Sequence, residues 1–84
     1  MSEISKDSIE AAYCFFHQKW QVYRFSGSPQ QKDEIEYAIS LYVDAMSTEL
    51  YSLLAAGQPD FLLSHATFAT DMASAVGKLE DLMK

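Results

Sequence analysis

Two histidines, one cysteine and twelve carboxylates are the groups in this chain with which chemistry could be done. His65 stands between Phe61 and Phe68 at helical spacing, so the sequence places it on the inward side of a helix, where a neutral imidazole is satisfied by a carbonyl or a hydroxyl. A metal ligand or a base in a pocket would instead need carboxylates converging from other helices, and Glu49, on the flank of a neighbouring apolar stripe, is the one on offer. One histidine and one glutamate do not complete such a site. His17 shares a polar face with Glu10, Gln21 and Arg24 and reads as solvated. The paired Glu-x-x-His motifs that hold two metals in a helical bundle do not occur. No metal and no cofactor are expected.

Nucleophilic chemistry finds no better footing. Ser26, Gly27 and Ser28 form a turn that helix capping explains, and neither a Gly-x-Ser-x-Gly elbow nor a phosphate-cradling glycine loop is written anywhere. Cys14 lies among Tyr13, Phe15 and Phe16, where a small hydrophobe is expected rather than a reactive thiolate. The chain therefore reads as a non-enzyme.

The elements that would position these groups are plain. Ser28 can cap a helix whose first residue is Pro29, and Gln31 falls where a capping box needs it. Asp33, Glu34 and Glu36 then set negative charge near the positive end of the dipole. Ile39, Val43, Met46, Leu50 and Leu53 recur at spacings of four and three, and Gly57 with Pro59 stops the run. That is one helix over 29–56, about 40 Å long at 1.5 Å per residue.

Before it, residues 1–6 are polar and expected to fray, and Asp7 with Glu10 suggests a cap for a helix over 8–25. Ile9, Tyr13, Phe16, Trp20 and Tyr23 form its inner stripe, while Ala11, Phe15, Val22 and Phe25 form a second one. After it, Asp60 could cap a helix over 60–84 with Phe61, His65, Phe68, Met72, Ala75, Leu79 and Leu82 inward. Ser64 and Thr67 leave open a short turn after Pro59 and a helix beginning near His65.

The fold class is thus all-α: a three-helix, up-down-up antiparallel bundle in a single domain over 1–84. A first helix of about 27 Å cannot cover partners near 40 Å, so part of the hairpin would lie bare. A second copy of the chain is the simplest cover, giving a homodimer in which Phe15, Val22 and Phe25 serve self-association. On the far side of the second helix, Tyr37, Leu41, Asp44, Thr48, Tyr51 and Ala55 keep the same spacing. Tyr37, Leu41, Asp44 and Tyr51 are accordingly a candidate partner-binding face, with ordinary surface or an inverted helix as the competing explanations.

Charge narrows the partners. A net charge of −6 repels phosphate backbones and anionic lipid surfaces, so neither nucleic acid nor membrane is expected. One cysteine permits no intrachain disulfide, and the first ten residues contain no signal-peptide core, which fits a reducing cytoplasm. The function that follows is a small interaction module: an adaptor, chaperone, regulator or inhibitor working through helix faces. Two alternatives stand beside it, a ligand- or metal-binding bundle with a pocket near His65 and Glu49, and an exported helical hairpin that polymerises.

Overall fold

The computed structural model describes residues 4–84, and among them every regular element is helical. There are four helices where the spacing predicts three: α1 Lys6–Phe25, α2 Pro29–Ala45, α3 Thr48–Ala55 and α4 Phe68–Leu82.

α1 starts two residues before its expected position, because Ser5 and not Asp7 is the cap: its hydroxyl accepts from the Ser8 N–H at 3.1 Å. Residues 1–3 of the stretch expected to fray lie outside the described residues, but Ile4 packs against the core. The turn into α2 follows the sequence more closely. Ser28 Oγ accepts from the Gln31 N–H at 3.2 Å, as a cap should. The reciprocal half of the box is relayed, with the Ser28 N–H donating to Ser26 Oγ at 3.1 Å and that hydroxyl donating to Gln31 Oε1 at 2.6 Å.

The second predicted helix does not continue to residue 56. Met46 and Ser47 leave the helical region, with ψ of 167° and 129°, and Ser47 Oγ caps a new helix by accepting from the Leu50 N–H at 3.4 Å. The physical reason is length. A straight helix would overrun α1, whereas a break lets Leu50, Leu54 and Ala55 be buried against the rest of the chain. Leu53, expected inward, is left more than half exposed.

Direction is read from contacts. Tyr23 lies against Glu36 and Lys32, and Phe15 and Phe16 against Tyr42, so α2 runs back along α1. Lys78 Nζ donates to the Leu54 carbonyl, Gln58 and Leu62 donate to Asp71, and Tyr23 packs on Phe68. Later residues thus meet earlier positions of α4, which sets α3 and the segment after it antiparallel to α4. α4 in turn starts at the end of α1 and packs along it. The path is up, down, up, down, with its third leg made of a short helix and an irregular segment, and the three-helix up-down-up expectation is corrected.

That irregular segment, residues 56–67, replaces the first two turns of the predicted third helix. Asp60 does not cap a helix; it has φ +57°, and its carbonyl accepts from the Leu63 and Ser64 N–H groups. Ala56 and Leu62 are also left-handed, at φ +51° and +65°. Such non-glycine residues cost roughly 1–2 kcal/mol each and persist only where their surroundings hold them. Here Phe61 and Leu62 are buried to about 1 % exposure and bring the segment with them. From Phe68 to Leu79 the predicted spacing is realised, with Phe68, Met72, Ala75 and Leu79 all inside, but Leu82, expected inward as well, is 42 % exposed where the helix ends.

Candidate functional site

Two features of the surface gather side chains from more than one element, and each includes one candidate residue, Val22 in the first and His65 in the second. The first is a groove of about 300 Å³ on the outer side of the α1–α2 hairpin, lined by Gln18, Lys19, Val22, Gln31, Glu34 and Ile35. Its α1 wall takes only Val22 from the second apolar stripe, beside the polar Gln18 and Lys19. Val22 is 41 % exposed within it, and Phe25 at the helix end is 75 % exposed. Phe15, one turn before Lys19, is half-buried because its ring stacks on Tyr42 at 4.4 Å; the Lys19 ammonium lies 5.5 Å from the same ring.

The α2 wall is Gln31, Glu34 and Ile35, none of which belongs to the predicted partner-binding face. Tyr37 and Leu41 follow Glu34 by three and seven residues, which places them on the same side of the helix, and both are more than half exposed. Asp44 is exposed beyond them. Tyr51 is not part of this face. It belongs to α3, beyond the break, and its hydroxyl donates to the Phe61 carbonyl at 2.7 Å. Burial and the nearby negative charges of Asp60 and Asp71 raise its pKa above the usual phenol value. The sequence treated the two apolar sets as separate faces, and the hairpin brings Val22 and the Glu34 side of α2 to one groove.

The second feature is centred on Glu36. Its carboxylate accepts from the Tyr23 hydroxyl at 3.1 Å and meets His65 Nδ1 at 2.8 and 3.0 Å, so α1, α2 and the segment before α4 are joined at one side chain. Glu36 is 19 % exposed and His65 79 %. His65 is therefore not the inward residue expected. The helix that would have turned it inward begins only at Phe68, and the carboxylate it meets is Glu36, while Glu49 stands in the first turn of α3.

The bond to Glu36 and the negative charge of that group, with Asp33 adding to it, raise the His65 pKa above its ordinary 6.5. Burial and the same carboxylate raise that of Tyr23, whose phenol is held in its donating form. Asp33, Glu36 and His65 each present one ligand atom, all within 4.8 Å of one another. Asp33 and His65 line a depression of about 380 Å³ together with Tyr23, Gly27, Pro29 and Lys32. Asp33 and Glu36 looked like helix-dipole complements in the sequence; their three-residue spacing signalled a shared face, but nothing in the sequence placed His65 opposite it.

The remaining candidates stand alone. Cys14, read as a small hydrophobe, is a free and exposed thiol. His17 stacks on Tyr13 at 5.3 Å and is half-buried. No helix among the described residues is long and apolar enough to cross a membrane. Comparison with known proteins found no matching family model, no matching curated protein and no matching solved structure.

Proposed function

We propose that this chain is a non-catalytic helical interaction module that first pairs with a second copy of itself, through the groove on the outer side of the α1–α2 hairpin. The observation that carries the reading is the groove that brings Val22 of α1 together with Glu34 and Ile35 of α2, with the exposed Tyr37 and Leu41 farther along the Glu34 side of the helix. The bareness of an overlong hairpin no longer supports a dimer, because the break at Met46 and Ser47 folds the extra length back.

A second copy fits for two reasons. The groove holds one cation and one anion, Lys19 and Glu34, so a two-fold arrangement can set Lys19 of each protomer against Glu34 of its partner. This matters in a protein of net charge −6, which otherwise repels itself. A standard interface also takes only about 800 Å² from each partner, a small share of the 5218 Å² this chain exposes. A cytoplasmic setting belongs to the same reading, since Cys14 is a free, exposed thiol of the kind a reducing compartment preserves.

Solution mass measured by sedimentation from micromolar to millimolar concentration tests the reading. The chain is expected to dimerise, and Val22→Asp to weaken the dimer about a hundredfold, since two copies of the charge enter each interface at about 1–3 kcal/mol apiece. Helicity should be unchanged, because Val22 lies outside the core. A monomer at every concentration defeats the reading, and a dimer indifferent to Val22→Asp moves the interface elsewhere.

A further inference from the structure

We infer that Asp33, Glu36 and His65 form a binding site for a zinc-class divalent transition metal, bridging the first turns of α2 to the segment that precedes α4. Three observations distinguish this cluster from acidic residues that merely share a helix turn. The nitrogen ligand comes from 29 residues beyond Glu36 and is delivered by a separate segment, so the set is assembled by the fold. One carboxylate, Glu36, is largely buried and held in orientation by the Tyr23 hydroxyl, the kind of outer contact that positions metal-ligating carboxylates. The ligand atoms lie within 4.8 Å of one another, so a small inward movement of exposed side chains brings them to the roughly 3.4 Å separation of donors around one tetrahedral ion.

The donor chemistry selects the ion. One imidazole and two carboxylates suit zinc, nickel or cobalt, with water completing the coordination, whereas calcium and magnesium favour all-oxygen sets. Two carboxylates also balance the charge of a dication. In the metal-free protein His65 Nδ1 and Glu36 approach to 2.8 Å, a hydrogen-bond distance that places a proton between them. Ligands of one zinc at about 2.0–2.2 Å stand somewhat farther apart, so metal entry displaces the proton and opens the pair slightly. The exposure of His65 leaves it room to do so. Lys32 borders the same depression, but its ammonium lies over the Tyr23 ring, 5.4 Å from the centroid.

The site is independent of the self-association reading, because Glu36 lies about 200° around α2 from Glu34, two residues at 100° each. Calorimetric titration of the full chain with zinc chloride, repeated with calcium and magnesium chloride, tests it. One zinc per chain is expected, with no comparable uptake of calcium or magnesium. His65→Ala and Asp33→Asn should each abolish that binding, and Tyr23→Phe should weaken it roughly tenfold. His65 and Asp33 are exposed, so circular dichroism of both variants should match the parent. Absence of zinc binding overturns the assignment, as does binding that survives His65→Ala or that requires two chains per ion.

Discussion

The carboxylate of Asp71, 2 % exposed, accepts hydrogen bonds from the Leu62 N–H at 2.9 Å, the Gln58 side chain at 2.9 Å and the Thr67 hydroxyl at 3.0 Å. All three donors belong to the irregular segment before α4, so one buried side chain holds the strained backbone there. Asp71→Ala would leave the Leu62 N–H buried without a partner. A loss of about 3 kcal/mol or more is expected, read as a lower urea midpoint. No local pattern marks this role, since an aspartate four residues after Thr67 looks like first-turn charge in any helix. His65 misled in the opposite sense: it continued a four-three count from Phe61 to Phe68 although no helix spans it. Its folded pKa is raised, so its contribution to stability is fully present below about 6.5 and is lost as pH rises through the folded value. The melting temperature of the parent should therefore exceed that of His65→Ala by more at pH 6 than at pH 8. Equal differences would show that the Glu36 contact carries no charge-dependent stability.

Among the elements, those with both a cap and an uninterrupted face were legible. The turn around Ser26 to Pro29 and the α4 face of Phe68, Met72, Ala75 and Leu79 appear as the spacing predicts. The two errors share one cause. Apolar periodicity continues across a reversal whenever the residues on either side are both buried, so Met46 and Leu50 lie in one stripe on paper and in different helices in space. Ser47 with Glu49 behind it was the available signal of a new start, outweighed by the unbroken stripe. At the other end of α3, Ala56 occupies the left-handed position in which glycine is favoured, at φ +51°. Ala56→Gly should accordingly raise stability by about 0.5–1 kcal/mol, seen as a higher thermal midpoint. A lower midpoint would mean that the entropy of the added glycine outweighs the relieved strain.

At the scale of the whole molecule, the reversal at Met46 and Ser47 decides what is left for a partner. It turns Tyr51 into the chain's own core edge and leaves Tyr37 and Leu41 outside, next to the groove that holds Val22. If the chain pairs as proposed, a carboxylate on the α2 side, Leu41→Asp, should weaken the dimer as Val22→Asp does; loss from one side alone would show that the groove is not its centre. The sequence by itself determined that the chain is helical, where α1 ends and α2 begins, and which face of α4 is buried, because caps and apolar spacing act within a few residues. The number of helices, their directions, the anchoring of the segment before α4 by Asp71, and the meeting of His65 with Glu36 were decided only by tertiary structure. Each depends on groups far apart in the chain, and the burial that brings them together leaves no local pattern in the sequence.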